Sequence, residues 1–312
     1  MKKLVFCFFV SLVLFSCATT VPKNIEEKYS LTSREGWLRI YFPLFVASEK
    51  VEEDEDGQES FIGGDGIVII FPNKEVMVID GFYAEAAESF TTFLSKTLQI
   101  DTIHYLVASH FHADHVGTFP HLMDNFIIKN FYSNGALIDR RSSNELVQKM
   151  QEKNIQGITL KKGDVLEIGE VLLEVLYPCL SEKNLDTVFY VPGKTEKQIN
   201  LSSLVMKISY KDFSILFTGD LYKKGERELV SEYGSRLHVN VLKVPHHGDH
   251  YTSNSRKFLN AIKPELAIAQ RPEDFSLITK MRFKSLGIPL VRVEEPGFIK
   301  IETNGTPQTH EK

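Results

Sequence analysis

Residues 109–115 read Ser109-His110-Phe111-His112-Ala113-Asp114-His115. The chain has 10 histidines and places three of them here, with an aspartate between. Desolvating such a collection costs free energy unless a cation compensates it. Imidazoles and a carboxylate without a thiolate are the donor set of a divalent metal. The cluster follows the β-like run HYLVAS. Alternation past a strand end lets His110 and His112 face one point, while Asp114 and His115 turn toward a second as a helix or turn begins. Two ions about 3.5–4 Å apart, sharing a bridging carboxylate or hydroxide, make a hydrolytic centre.

Other apolar runs stop in the same manner. EVMVID ends in Asp80, FSILFTGD ends in Asp220, and NVLKVP delivers His246 and His247. In open α/β folds, strand ends along one edge converge on the site. No other nucleophile is offered, neither a G-x-S-x-G elbow nor a Cys-His pair. Metal-assisted water attack is therefore the chemistry expected, with the ions lowering the pKa of water from 15.7 to about 7.

Short β-rich runs and helix-period stretches alternate from Trp37 onward. The β-like runs are WLRIYF, GIVIIF, EVMVID, HYLVAS, VLLEVLY, SLVMKI, FSILFTGD and NVLKVP. Helical periodicity covers 84–98, 142–154, 226–234, 253–263 and 276–287. Hairpin turns are expected at Pro72-Asn73-Lys74 and Tyr210-Lys211-Asp212. One α/β domain over 35–306, its sheets covered by helices, is the simplest architecture. Residues 307–312 read as a tail.

The order GDGIVIIFPNKEVMVIDG, SHFHADHVG, NLSSLVMKISYKDFSILFTGD, VLKVPHHGDHYTSNSRKFLNAIKPELAIA resembles the metallo-β-lactamase fold, in particular the hydrolase domain of ComEC-like competence proteins and its stand-alone lipoprotein relatives. The resemblance spans about residues 60 to 300. It implies a four-layer αββα sandwich with two divalent ions, zinc first and manganese or iron(II) as alternatives, at one edge of the sheets. Carried over, His110 and His112 hold the first ion, and Asp114, His115 and His247 the second. Asp220 bridges both, and Asp80 stands behind a ligand to orient it. His246 then faces substrate as hydrogen-bond donor or leaving-group acid. Asp114 is also a possible base, poorly placed for it as a ligand.

Three departures stand out. QINLSSLV, with Asn200, Ser202 and Ser203, has no histidine where true β-lactamases supply a third imidazole to the first ion. That argues against lactam hydrolysis. The turn before the second strand keeps only Gly64-Asp65-Gly66, after an insertion at about 47–60, and leaves Asp65 open between a role near the site and a plain turn. QRPEDF (270–275) replaces a histidine-containing loop.

The N-terminus, MKKLVFCFFVSLVLFSC, pairs two lysines with an apolar run of signal-peptide length. Leu14-Phe15-Ser16-Cys17 resembles a bacterial lipobox. It implies a signal peptide over 1–16, lipid on Cys17, a polar linker to residue 34, and export with anchoring to the cell envelope. With Cys7 lost and Cys17 lipidated, Cys179 stands alone and no internal disulfide is expected. The net charge of −5 gives no general attraction for nucleic acid, although Lys161, Lys162, Lys223 and Lys224 could form a local patch. The leading expectation is an envelope-anchored hydrolase of a phosphodiester. An extracellular DNA nuclease and a non-catalytic metal-binding lipoprotein are the alternatives.

Overall fold

The computed structural model describes residues 35–45, 64–137, 140–178, 189–190, 196–271, 273–293 and 297–306. The expected signal, Cys17, the linker, the insertion, Cys179 and the tail lie outside the described residues.

The first half of the chain supplies β1 (Leu38–Leu44), β2 (Ile67–Ile70), β3 (Val76–Ile79), β4 (Thr102–Ala108), β5 (Ile127–Ser133) and β7 (Gly157–Thr159). Between them lie α1 (Ala87–Thr92), α2 (Ala113–Val116), α3 (Phe119–Asn125), the short strand β6 (Ala136–Leu137) and α4 (Arg141–Glu152). The second half supplies β8 (Val165–Ile168), β9 (Val171–Tyr177), β10 (Phe189–Tyr190), α5 (Glu196–Asn200), β11 (Val205–Tyr210) and β12 (Phe213–Phe217). It continues through α6 (Lys223–Tyr233), β13 (Val241–Lys243), α7 (Arg256–Ile262), β14 (Leu266–Ala269), α8 (Leu277–Ser285) and β15 (Leu290–Arg292). The last strand, β16 (Gly297–Thr303), returns to the first half and pairs antiparallel with β1.

One seven-stranded sheet runs β16-β1-β2-β3-β4-β5-β7 and the other runs β15-β14-β13-β12-β11-β9-β8, while β6 and β10 pair separately. Each sheet is antiparallel on one side and parallel on the other. Period-two alternation decides which faces meet. Ile40, Phe42, Ile67, Ile69, Met77 and Ile79 from the first sheet share a core with Leu173, Met206, Ile208, Ile215 and Phe217 from the second. The residues between them point outward. Val68, Val78 and Leu106 pack under Phe90, Leu122 and Leu146 of the first helical layer. Leu216, Leu242 and Ala267 pack under Leu229, Phe258 and Phe283 of the second. Each such side chain contributes about 1.5–3 kcal/mol on burial. The result is the expected αββα order of layers.

All eight β-like runs are strands and both turns are hairpins, with Lys74 and Lys211 at positive φ. The stretch 84–98 differs from a single helix. A 3-10 turn at Ala84–Ala86 leads into α1, and Phe93–Thr97 closes as a π turn. The Leu98 amide reaches back to the Phe93 carbonyl, which lets Phe90, Phe93 and Leu94 all stay buried. Among the described residues, no helix is long and apolar enough to cross a membrane.

Candidate metal centre

The parallel strands of both sheets point the same kind of residue at one edge. Asp80 follows β3, Ser109 and His110 follow β4, Asp220 lies just past β12, and His246 and His247 follow β13. Asp220 sits at the middle. Its Oδ2 is 3.4 Å from His115 Nε2, 3.7 Å from His247 Nε2, 3.8 Å from His246 Nε2 and 4.0 Å from His110 Nε2. Asp114 Oδ2 lies 3.4 Å from His115 Nε2 and 3.3 Å from His247 Nε2. His110 Nε2 and His112 Nδ1 are 3.0 Å apart. Two nitrogens each about 2.0–2.1 Å from one tetrahedral ion would be about 3.3 Å apart, so the spacings from His110 to His112, from Asp114 to His115 and His247, and from Asp220 to His115 match the edges of coordination polyhedra. His110, His112 and Asp220 form one possible ligand group, and His115, Asp220 and His247 belong to another, together with Asp65.

Hydrogen bonds behind the imidazoles set which nitrogen faces inward. Asp80 accepts from the Ser109 amide at 2.7 Å and the Ser109 hydroxyl at 2.7 Å. Its Oδ2 also accepts from His115 Nδ1 at 2.9 Å, so once His115 sheds its second proton it is Nε2 that faces Asp114 and Asp220 bare. With its own proton on Asp80, the Ser109 hydroxyl accepts from His110 Nδ1 at 3.0 Å, which again leaves Nε2 inward. His247 Nδ1 donates to the Gln270 carbonyl at 3.1 Å. His246 Nδ1 donates to Thr252 Oγ1 at 2.7 Å, and that hydroxyl in turn donates to Asp249. Two inward atoms, His115 Nε2 and Asp220 Oδ1, are buried with no hydrogen-bond partner among the described residues. Buried polar atoms without partners are costly, and a cation between them removes that cost. The donor set therefore fits a pair of divalent ions.

Electrostatics agree. Four carboxylates converge on the histidines, Asp80, Asp114 and Asp220 around His115 and Asp65 against His247, and Asp65 also pairs with the Lys243 ammonium. Burial opposes charge at every one of these groups. At His115 it is outweighed by Asp114, Asp220 and Asp80, which hold the imidazole well above the usual histidine range. At His247 burial is outweighed by Asp65 and Asp220, and the pKa is pushed up to about 10. Burial would raise Asp114 and Asp220, yet the charges on His115 and His247 hold both well below the usual carboxylate range. Burial wins at His110, helped by the His115 charge, and takes His112 down to about 4. In the metal-free chain, protonated His115 and His247 thus supply the positive charge that the ions would bring.

Three local features hold the ring of ligands. His246 (φ 50°) and His247 (φ 48°) both adopt left-handed backbone, a conformation non-glycine residues rarely take and one concentrated at functional sites. Gly64 has φ +115°, and a Cβ there would lie 2.3 Å from the Asp114 carbonyl oxygen, so only glycine lets this turn press on the metal loop. The adjoining Asp65 settles the question its sequence left open. It forms a fully buried ion pair with Lys243, and its Oδ1 lies 3.3 Å from His247 Nδ1.

The structure brings His110, His112, Asp114, His115, Asp220, His246 and His247 together, with Asp80 behind His115; Cys17, expected to carry lipid, lies outside the described residues. The residues sequence reasoning passed over are those that support ligands: Ser109, Lys243, Asp249, Thr252 and Gln270. Lys243 carried a visible signal, a lysine inside the apolar run NVLKVP. Gln270 and Arg271, in the segment that replaces a histidine loop, bond to carbonyls of Pro43, Gly66 and His247 and so brace the structure. In the QINLSSLV segment, which has no histidine, the Ser203 hydroxyl accepts from the Asp220 amide at 3.2 Å. Of the four lysines considered as a patch, Lys162 pairs with Glu232 at 2.7 Å and Lys223 donates to the carbonyls of His250 and Tyr251.

The Metallo-beta-lactamase superfamily profile matches residues 63–270, more than half of the chain. The chain belongs to the metallo-beta-lactamase superfamily. Within that superfamily it is similar to ComE operon protein 3 of Bacillus subtilis (strain 168), 28% identical over 163 residues, covering 52% of this chain and 19% of that protein. It is also similar to competence protein ComA of Neisseria gonorrhoeae, 26% identical over 276 residues, covering 85% of this chain and 35% of that protein. The chain thus spans about a third or less of the length of these relatives. The crystal structure of the metallo-beta-lactamase fold protein YhfI from Bacillus subtilis superposes with a TM-score of 0.52 at 10% identity, covering 86% of this chain and all of YhfI. That likeness is one of fold.

Proposed function

We propose that the chain is an envelope-anchored, metal-dependent hydrolase that cleaves a phosphodiester with an activated water. In this reading His110, His112 and Asp220 hold one ion, and Asp114, His115, His247 and Asp220 hold the other. Zinc is the first candidate, with manganese and iron(II) next. Such a pair supplies water ionised near neutral pH and electrophilic stabilisation of the attacking and leaving oxygens. The chain's own residues do the rest. Asp80 fixes the His115 tautomer, as carboxylates behind metal-bound imidazoles do. His246, backed by Thr252 and Asp249, turns Nε2 toward the site, where in its protonated form it delivers a proton to the leaving oxygen.

The observation that carries the reading is the position of Asp220 Oδ2, within 4.0 Å of nitrogens from four histidines. The similarity to competence proteins favours a second reading, cleavage of DNA outside the cell. The engagement of Lys162 and Lys223 within the fold weighs against a long nucleic-acid track.

The test is elemental analysis of the full chain purified without chelator, together with assays on bis-p-nitrophenyl phosphate, plasmid and single-stranded DNA, and a lactam. Two ions per chain and turnover of the small phosphodiester, both lost in His112→Ala, are expected. Nicking of DNA at comparable efficiency favours the second reading. Full metal content without turnover of any substrate points to a metal-binding lipoprotein instead.

A further inference from the structure

Next to the metal centre, α8 exposes what soluble surfaces usually cover. Leu277 is 70% exposed, Ile278 50% and Met281 60%. At helical spacing the three form one ridge. Tyr251, 76% exposed, lies in the adjoining loop, where the ring of its neighbour His250 bonds through Nδ1 to Ser276 at 2.9 Å. Beside the ridge an open cavity of about 560 Å³ is lined by the apolar Phe275, Phe283, Ile288, Leu290 and Val291 and by Lys280, Lys284, Arg292 and a single acid, Asp274. Arg256 joins from α7, donating to Ser285 at 2.9 Å. Asp274 and Glu273 are the nearby acids, paired with Lys280 and Arg271. A chain of net charge −5 therefore concentrates cations around an aliphatic ridge.

The helix that carries the ridge is tied to the metal loop by its other face. Thr279 Oγ1 donates to the Gly248 carbonyl at 3.1 Å, and a Cβ on Gly248 would lie 2.9 Å from the Phe275 ring. The buried face of α8, opposite the ridge, thus rests on the residue that follows His247.

We infer that the α8 face docks on an anionic lipid surface. Aliphatic side chains flanked by lysines suit the interface of a bilayer, where apolar groups enter the acyl boundary and ammonium groups meet anionic headgroups. A second copy of the chain is a poor occupant, since a two-fold contact sets the patch against itself and would bring Lys280 and Lys284 against their own like. On the hydrolase reading above, docking presents the metal centre to phosphodiesters held at the membrane surface, such as lipid headgroups or polymers attached there.

The test uses the full chain with its sole tryptophan moved. Trp37→Phe/Ile278→Trp is compared with Trp37→Phe/Ile158→Trp, on β7 at the far edge of the first sheet. Both are reconstituted in vesicles of phosphatidylglycerol and acyl-brominated phosphatidylcholine. Fluorescence at position 278 is expected to shift to the blue and be quenched, with position 158 unquenched. Replacing phosphatidylglycerol by a zwitterionic lipid, or adding Lys280→Glu/Lys284→Glu, should return position 278 to the level of the control. Equal quenching at both positions, or none at 278, overturns the inference. So does a lipid-free dimer in sedimentation that the lysine substitutions stabilise. Hydrolysis of bis-p-nitrophenyl phosphate by Lys280→Glu/Lys284→Glu should equal that of the parent. Its absence from the parent bears on the hydrolase reading alone, because quenching is read without turnover.

Discussion

Asp80 works from behind. Its oxygens are taken by the Ser109 amide, the Ser109 hydroxyl and His115 Nδ1, so its influence on an ion passes through the imidazole it orients. Asp80→Ala is expected to lower metal affinity about 10–100-fold, read by competition with a chromophoric chelator, while His112→Ala removes a ligand outright. Proton traffic gives an independent check. His115 is held well above the histidine range and His247 at about 10, so both carry protons at neutral pH in the metal-free chain and must shed them to ligate. Apparent affinity should rise by roughly tenfold per pH unit for each proton displaced. The window runs from neutral pH to about 10, and calorimetry in buffers of differing ionisation enthalpy counts the protons released. The sign for stability is the reverse. A raised imidazole pKa stabilises the metal-free fold fully below the unfolded histidine value, and that contribution fades as pH climbs through the folded one.

Among elements, β13 bears the most unusual burden. It presents Lys243 to Asp65 across the gap between the sheets, both residues 1% exposed. Removing one partner of a buried pair leaves an uncompensated charge. Lys243→Met should therefore cost about 3–5 kcal/mol in urea unfolding of the metal-free chain, and adding Asp65→Asn should recover part of the loss. The strands themselves were legible because alternation is a local property: WLRIYF and FSILFTGD each show which side is apolar without reference to partners. Outside the eight runs lie β5, β7, β8, β14, β15 and β16. Ile127, Ile158 and Val165 are exposed and break the pattern that marks a half-buried strand. The ligand histidines and aspartates were readable for the opposite reason, since metal donors cluster by type. Thr252 and Asp249 were opaque, because a polar loop residue that braces an imidazole looks like any other until the turn is seen.

At the level of the whole molecule, the ligands divide between the halves. Asp80, His110, His112, Asp114 and His115 belong to the first sheet and its loops, and Asp220, His246 and His247 to the second. Ions bound between them oppose unfolding of either half. At a free concentration one hundred times the dissociation constant, a single site adds about 2.7 kcal/mol. Thermal unfolding with and without chelator should show the shift, and Asp220→Ala should abolish it while keeping the far-ultraviolet dichroism of the parent. The αββα stacking was legible only through resemblance, because nothing in one strand's residues says which other sheet it will face.

The division of donors between β4 and β12 has a temporal side as well. A nascent chain halted before Asp220 owns three imidazoles but lacks the carboxylate that joins them, and the HHG turn is still to come. Completion of both ligand sets then waits for the second half, a clasp closed only once Asp220 and His247 are in place.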